Sequence, residues 1–261
     1  MHPILLQLGP IPIHTYGVMI AIGFLSALLV LKKLSPAEGL RFESLVDLAF
    51  LCLLSGFLGA RLLFILTLFK EFAADPVSIF KVWEGGLVFY GGPIAAVPVL
   101  LWYTRKKKMN VWKVGDVAVP ALTIAHFFGR LGCFGAGCCY GKPTDSIFGV
   151  RFTSPLVDPA LRGIPLHPTQ LYEAFSLFVL FWGLIYVQKT KKFDGQTMLI
   201  YLMAYPVIRS LIEIFRGDEI RGFVIGSMVS TSQFISLVVF MIAGVILYQR
   251  LRQVHAVSEA S

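Results

Sequence analysis

The sequence predicts an all-α integral membrane protein with about seven transmembrane helices. Apolar residues make up 56% of its 261 residues and the mean hydropathy is +0.75, whereas soluble domains are usually about 45–50% apolar. Apolar stretches of about 20 residues, the length that crosses a hydrocarbon core, recur along the chain. No long polar segment separates them, which predicts a single polytopic membrane domain over residues 1–261.

The predicted spans follow one another with short connections. Gly91, Gly92, Pro93 and Pro98 interrupt the third span, and Pro120 interrupts the fourth. The longest polar stretch, at about 140–168, is predicted to be an extracytoplasmic loop region, and the loops should surround an intramembrane cavity. The spans cover residues 14–33, 45–69, 87–104, 114–134, 169–188, 196–215 and 227–248.

The positive charges indicate the orientation of the chain. With the N-terminus outside and the C-terminus in the cytoplasm, most lysines and arginines between the spans fall on the inner side, where positive charge is favoured. The N-terminus lacks the basic region of a cleavable signal peptide, so the first apolar run should remain a helix. The net charge of +8 then reflects basic loops beside anionic membrane lipids rather than a nucleic-acid partner. The inner charges are Lys32, Lys33, Arg41, Arg105, Lys106, Lys107, Lys108, Lys113, Lys189, Lys191, Lys192, Arg250 and Arg252.

Three arginines, Arg61, Arg130 and Arg209, lie inside predicted spans. An ionised guanidinium at the centre of a bilayer costs about 2.5–3.5 kcal/mol on insertion scales, so such residues usually face a cavity and serve a function. Few acidic residues lie at the same depth to balance them. Because guanidinium groups match phosphate oxygens in pairs, the three charges predict a site for an anion.

Polar residues on the sixth span follow helical spacing. Tyr205, Arg209 and Glu213 are four residues apart, and Arg216 stays on the same face. On an otherwise apolar helix this face should point into the bundle. The stripe is either part of the anion site or a structural network in which Glu213 neutralises Arg209.

Two glycine-rich stretches and one histidine are further candidates. Glycines let the backbone approach a ligand closely, as in segments 85–92 and 129–141, but they also serve close helix packing in membranes. His167 precedes Pro168 at the start of the fifth span, where Pro is favoured at the first helical position. It is either catalytic or part of a polar helix start.

Three of the four cysteines, Cys133, Cys138 and Cys139, cluster after the fourth span, while Cys52 lies in an apolar run. Their spacing is not the paired C-x-x-C arrangement of a zinc site, and only His126 is near in sequence. A structural disulfide or small-residue packing is therefore favoured over a metal site, and no metal is predicted.

An ordered set of segments resembles the bacterial prolipoprotein diacylglyceryl transferase family along nearly the whole chain. The segments are HTYG at 14–17, GAR at 59–61, VWEGGLVFYGG at 82–92, GRLGCFGAGCCYG at 129–141, HPTQLYE at 167–173 and YPVIRSLIEIFRGDE at 205–219. The resemblance implies a multi-pass enzyme of the bacterial inner membrane that needs no metal or cofactor. Its substrates would be phosphatidylglycerol and the signal peptide and lipobox cysteine of a prolipoprotein.

The resemblance also implies roles for individual residues. A peptide thiol would attack the glyceryl carbon that bears the phosphate ester, form a thioether and release glycerol phosphate. Arg130 and Arg209 would hold that phosphate. Expected hydrogen-bond donors or proton acceptors are Tyr16, Tyr90, Tyr205, His167 and Glu213. Expected substrate-binding residues are Gly91, Gly92, Gly137, Gly141, Arg61 and Arg216, although Arg61 could instead support packing of the second span through Gly56 and Gly59.

The chain departs from the family pattern at two places. The family often has His-Gly-Gly where this chain has Tyr90-Gly91-Gly92. It also commonly reads G-R-x-G-N-F-x-N-G-E, where this chain has Cys133, Ala136 and Cys138 at the two Asn positions and the Glu position. The sequence therefore predicts a variant transferase. The alternatives are a lipid or organic-anion transporter, or a thiol-redox membrane protein.

Overall fold

The computed structural model describes residues 3–9, 11–81, 85–216, 223–225 and 229–259. Parts of three predicted features lie outside these residues: 82–84 of the third quoted segment, 217–219 of the last, and 227–228 at the start of the seventh span. The main elements are β1 (Ile4–Leu8), β2 (Ile11–His14), α1 (Thr15–Leu34), α2 (Phe42–Thr67), α3 (Phe69–Ala74), α4 (Gly91–Lys106), α5 (Val111–Ala136), β3 (Val150–Arg151), β4 (Pro165–Leu166), α6 (Thr169–Thr190), α7 (Gln196–Phe215), β5 (Phe223–Ile225), β6 (Val229–Ser230) and α8 (Thr231–Glu259).

Six described helices are long and apolar enough to cross a membrane, namely α1, α2, α5, α6, α7 and α8. This confirms a multi-pass helical membrane protein, and most predicted bounds lie within about three residues of the helix ends. The third predicted span is the shorter helix α4, which has 16 residues and is about 24 Å long at 1.5 Å per residue. A hydrocarbon core is about 30 Å thick, so seven crossings stay a prediction, as does the orientation.

Three small antiparallel ribbons were not predicted. The strands β1 and β2 pair before α1, β3 pairs with β4 in the loop between α5 and α6, and β5 pairs with β6 before α8. The strands β3 to β6 have only two or three residues, fewer than the four to eight over which alternation of polar and apolar residues is recognisable, and β1 and β2 are at the short end of that range. In the 140–168 loop, Phe152, Val157 and Leu166 form a small buried core of their own.

The chain groups into two compact units, residues 1–33 with 115–261 and residues 34–114. The prediction of one domain over residues 1–261 stays a prediction. In the first unit, α1 packs on a glycine face of α5, where Gly132 meets Tyr16 and Met19 and Gly135 meets Thr15. The helices α6, α7 and α8 pack in succession.

In the second unit, α2 packs closely against α4. A Cβ atom at Gly59 would collide with the carbonyl oxygen of Gly91 and the methyl group of Ala95, and Gly56 faces Gly92. Small residues allow this approach, as is usual between membrane helices. This contact matches the alternative that the sequence left open, packing of the second span through Gly56 and Gly59. Gly91 and Gly92, which were expected to line a substrate pocket, have their space taken by α2.

A buried carboxylate joins three helices at the opposite end of the first unit from the loop 140–168. Asp116 near the start of α5 is fully buried. It accepts hydrogen bonds from the Gly195 and Met198 amides at 2.8 and 3.0 Å and from the Lys191 ammonium at 2.6 Å. The carboxylate thereby caps the N-terminus of α7, where backbone amides have no partner within the helix.

Candidate active site

The candidate site centres on Glu173, whose side chain is only 1% exposed. Its Oε1 accepts hydrogen bonds from Nη2 of Arg130 at 2.9 Å and from the hydroxyl of Tyr205 at 3.2 Å. The same oxygen lies 3.5 Å from Nε2 of His126. The Glu173 cluster (His126, Arg130, Glu173 and Tyr205) therefore draws on α5, α6 and α7.

Helical spacing explains why these side chains converge. His126 and Arg130 are four residues apart on α5, and Tyr201, Tyr205 and Arg209 repeat every four residues on α7, so each set occupies one face of its helix. The rings of Tyr201 and Tyr205 stack at 5.7 Å, and the edge of His126 meets Tyr205 at 5.4 Å. These contacts fix the Tyr205 hydroxyl beside Glu173.

Two guanidinium groups, that of Arg130 within the cluster and that of Arg209 next to it, act on the other side chains of the cluster. The charges of Arg130 and Arg209 both act on His126 and Tyr205, and Nη2 of Arg209 pairs with Glu213 at 2.5 Å. The predicted Arg209–Glu213 pair is therefore present. Among the residues that the structure describes, no hydrogen-bond partner meets the buried Nε of Arg130 or the buried Nη1 of Arg209. Each arginine thus keeps a donor suited to an anionic ligand.

The glycine-rich turn after α5 forms the C-terminal cap of that helix. The amide of Gly137 bonds to the Phe134 carbonyl at 3.1 Å and the amide of Cys138 to the Cys133 carbonyl at 3.1 Å. This is the Schellman pattern, and it needs a left-handed residue, which Gly137 supplies with φ +77°. Gly137, expected to bind substrate, is accounted for as a helix cap.

The same turn docks on the start of α6. Gly141 fits between the Phe215 carbonyl and the side chains of His167 and Thr169, and its amide bonds to the His167 carbonyl at 2.9 Å. Gly141, also expected to bind substrate, therefore has a packing role. The Nδ1 atom of His167 lies 3.2 Å from the Tyr172 hydroxyl, and its ring packs on Phe215 at 5.1 Å. These contacts match the polar helix start that the sequence left open for His167.

The cysteines after α5 form a compact group next to this site. Cys133, Cys138 and Cys139, the thiol trio, are free thiols, and their Sγ atoms all lie within 4.8 Å of one another. Hydrogen bonds from the Cys133 and Cys138 thiols lower the pKa of Cys139, and the positive charges of Arg216 and Arg130 act in the same direction. Of the two alternatives that the sequence left open, a disulfide or small-residue packing, the disulfide is not formed. Tyr16 lies close enough to the trio and to Arg130 to interact electrostatically with them.

Arg61 has a different environment from the other two arginines. Its side chain belongs to the second unit, and it donates hydrogen bonds to five backbone carbonyls, including Gly85 at 2.6 Å and Ser78 at 3.0 Å. A cavity of about 250 Å³ borders it. Because the guanidinium donors already serve the segments on either side of residues 82–84, these contacts match the alternative in which Arg61 supports packing, and its role in binding substrate stays a prediction.

Arg61→Lys is expected to loosen these segments. An ammonium offers three donors from a single point and cannot satisfy carbonyls spread around a planar fork, and each buried carbonyl left unpaired costs about 1–3 kcal/mol. Hydrogen exchange should accelerate in residues 76–81 and 85–90, with a lower melting temperature. Lys70→Ala, at an exposed position on α3, serves as the control. Unchanged exchange in Arg61→Lys would contradict this structural role.

Two residues of the candidate site, Glu173 and His126, were not predicted from the sequence to be functional. Glu173 was quoted only as part of the 167–173 segment, and His126 only as a neighbour of the cysteines. The four-residue spacing of His126 and Arg130 on an apolar helix was the available signal for the histidine. Glu173 had a weaker signal, since a single acid one turn into a helix is also common at a membrane surface.

Comparison with known proteins agrees with these features. The family model for prolipoprotein diacylglyceryl transferase matches residues 3–249. A phosphatidylglycerol–prolipoprotein diacylglyceryl transferase of Clostridium tetani (strain Massachusetts / E88) is 39% identical over 242 residues, which cover 93% of this chain and 95% of the relative.

Two further relatives carry the same description. A second such enzyme of Clostridium perfringens (strain 13 / Type A) is 36% identical, covering 95% of this chain and 94% of the relative. The enzyme of Vibrio atlanticus (strain LGP32) is 33% identical, covering 90% and 85%. The resemblance carried by the ordered segments is confirmed, and the chain belongs to the prolipoprotein diacylglyceryl transferase family.

Proposed function

We propose that this chain transfers the diacylglyceryl group from phosphatidylglycerol to the lipobox cysteine thiol of a prolipoprotein, forming a thioether and releasing glycerol phosphate. Membership of the family, whose relatives are named for phosphatidylglycerol and prolipoprotein, supports the substrates. The observation that carries the proposal is the pair of buried arginines beside Glu173, each with a donor left for an anion.

In this mechanism, Arg130 and Arg209 bind the phosphodiester of the lipid. The peptide thiolate attacks the glyceryl carbon, the carbon–oxygen bond breaks, and its electrons pass to the phosphate oxygen. Negative charge therefore grows on the leaving phosphate, where preorganised charged donors lower the barrier most. Glu173 holds the Arg130 guanidinium and the Tyr205 hydroxyl in place, so it acts as a positioning residue.

The thiol must lose its proton, because the thiolate is the competent nucleophile. His167 and Glu213 were the acceptors proposed from the sequence, but their contacts with Tyr172 and Arg209 engage them elsewhere. We propose that His126 accepts the proton of the thiol, because its imidazole lies within the Glu173 cluster. Tyr16 and Arg216 flank the thiol trio and are proposed to line the approach of substrate.

The proposed topology places this site near the outer face of the bacterial inner membrane. It has seven crossings, an outer N-terminus and a cytoplasmic C-terminus, as the distribution of positive charges favours. The last turn of α5, the first turn of α6 and the 140–168 loop then lie outside. Both substrates would then be met at this face.

One assay tests the function against its alternatives. The purified protein is reconstituted in vesicles with phosphatidylglycerol and a lipobox peptide, and the peptide mass is measured. A diacylglyceryl increment on the peptide supports transfer, and a matched peptide with serine in place of the cysteine should gain none. Movement of lipid without a modified peptide would favour a transporter. A peptide disulfide without lipid would favour a thiol-redox protein.

Tyr90→Phe is expected to lower turnover about fivefold, the equivalent of one hydrogen bond of about 1 kcal/mol. Tyr90 is the N-cap residue of α4 and is 37% exposed, and a phenol can donate a hydrogen bond to a phosphate or ester oxygen. A phenol has a reference pKa of about 10, so it does not act as a base near neutral pH. The acidic limb of the pH–rate profile should therefore stay unchanged.

Tyr90→His, which restores the residue common in the family, should be partly active. Unchanged turnover in Tyr90→Phe would indicate that Tyr90 serves only as an aromatic anchor at the membrane surface, a frequent role of tyrosine.

A further inference from the structure

The thiol trio is a preformed set of soft ligands that the proposed transfer does not use. Cys133 lies in the last turn of α5, the Gly137 cap reverses the chain, and Cys138 and Cys139 return toward Cys133. The three Sγ atoms thus lie within 4.8 Å of one another although four residues separate the first two cysteines. The C-x₄-C-C spacing does not show this convergence, because it depends on the left-handed turn.

Side chains at the start of α6 hold the backbone of the thiol trio in place. Cys139 adopts φ +63°, a left-handed conformation that is uncommon for a non-glycine residue. The Gln170 side chain donates to the Cys138 carbonyl at 2.6 Å, and the Thr169 hydroxyl donates to the Cys139 carbonyl at 2.8 Å. The start of α6 therefore stabilises the conformation that keeps the thiols together.

The separations suit a thiophilic metal ion. A Zn²⁺–sulfur bond is about 2.3 Å, which gives sulfur–sulfur distances of about 3.8 Å in a tetrahedral site. The trio reaches that geometry with shifts of about an ångström or less at each thiol. Within the described parts of the chain, no His, Asp or Glu joins the group. A zinc ion held by three protein ligands keeps one coordination position open, whereas a closed structural site has four protein ligands.

The charge around the trio also suits a bound ion. Three thiolates and one divalent ion carry a net charge of −1. The positive charge of Arg130 acts on Cys133, and those of Arg216 and Arg130 act on Cys139. These charges balance the excess negative charge of a metal–thiolate centre. A disulfide, in contrast, would use two of the three sulfurs and leave the third without a role.

We propose that Cys133, Cys138 and Cys139 bind one Zn²⁺-class metal ion through three thiolates, with the fourth position open to an exogenous ligand. On binding, each thiol gives its proton to solvent and each sulfur donates an electron pair to the metal. This centre departs from the expectation, implied by the family resemblance, that no metal is used. It does not depend on the proposed transfer reaction.

The test is metal binding by the purified full-length protein in detergent, reduced and then loaded with Zn²⁺ or Co²⁺. The wild-type protein should bind one equivalent, and the Co²⁺ form should show strong sulfur-to-metal absorption. Cys133→Ser, Cys138→Ser and Cys139→Ser should each weaken binding at least tenfold. Cys52→Ser is the matched control, because Cys52 lies on α2 in the second unit, and it should bind as the wild type does.

Three results would overturn the proposal: no stoichiometric metal in the reduced wild type, binding that survives in the single variants, or equal loss in Cys52→Ser. A second measurement covers variants that insert poorly. Zn²⁺ should raise the melting temperature of the wild type and of Cys52→Ser, and a chelator should reverse the shift. Cys139→Ala should show no Zn²⁺-dependent shift, and a shift equal to that of the wild type would also contradict the site.

Discussion

Arg130→Ala is expected to lower diacylglyceryl transfer about 100- to 1,000-fold at equal membrane abundance, because a single preorganised donor to developing negative charge contributes about 2.7–4 kcal/mol. Arg209→Ala should have an effect of the same size. Lysine at either position should restore little activity, since an ammonium cannot reproduce the planar pair of donors that a phosphate binds. Transfer to a lipobox peptide, measured by mass in vesicles of phosphatidylglycerol, gives the result directly.

A double variant separates the loss of phosphate binding from the cost of a stranded charge. In Arg130→Ala the buried Glu173 carboxylate loses its ion-pair partner. Arg130→Ala combined with Glu173→Gln removes that unpaired charge but leaves the phosphate without its donor. The double variant should insert normally and stay inactive. Recovery of transfer in the double variant would show that Arg130 stabilises the fold and does not bind the phosphate.

Glu173→Ala is expected to destabilise the first unit by about 3–5 kcal/mol, the usual cost of removing one partner from a buried ion pair. The change strands the Arg130 guanidinium and removes the acceptor of the Tyr205 hydroxyl. Thermal unfolding in detergent should show a clear drop in melting temperature. Glu173→Gln should be milder, because an amide oxygen still accepts a hydrogen bond.

Glu43→Ala is the matched control for Glu173→Ala. Glu43 faces Arg41 at 3.9 Å, with both side chains more than 70% exposed, and exposed ion pairs contribute little. The control should unfold as the wild type does. Equal stability of Glu173→Ala and Glu43→Ala would show that the Glu173 cluster does not hold α5, α6 and α7 together.

The helices were predictable because each depends on a long local signal. The bounds of 196–215 agree with α7, and those of 14–33 and 169–188 lie within two residues of α1 and α6. Apolar composition also predicted residues 87–90 as helical, but α4 begins only at Gly91, where the chain can approach Gly59 on α2. Composition measures hydrophobicity and does not reveal where a neighbouring helix begins to support the backbone.

The site was partly predictable for the same reason. The four-residue spacing of Tyr205, Arg209 and Glu213 predicted a shared face, and the Arg209–Glu213 pair is present. The partner of Arg130 was missed because Glu173 lies on another helix, 43 residues away, and one sequence carries no signal for such a pairing. The glycines at 91, 92, 137 and 141 could equally approach a ligand or another backbone, and the described contacts are with backbone and side chains of the chain itself.

The short helix α4, as the predicted third crossing, would have a consequence for the surrounding lipid. Its length of about 24 Å leaves it roughly 6 Å shorter than an average hydrocarbon core, and its last turn carries Arg105 and Lys106. Long basic side chains can reach up to the headgroups, and the adjacent leaflet can thin to meet them. Hydrophobic mismatch at this helix would make the second unit sensitive to the length of the lipid acyl chains. The thickness of the bilayer would then influence a lipid-modifying enzyme through a helix that lies outside the candidate site.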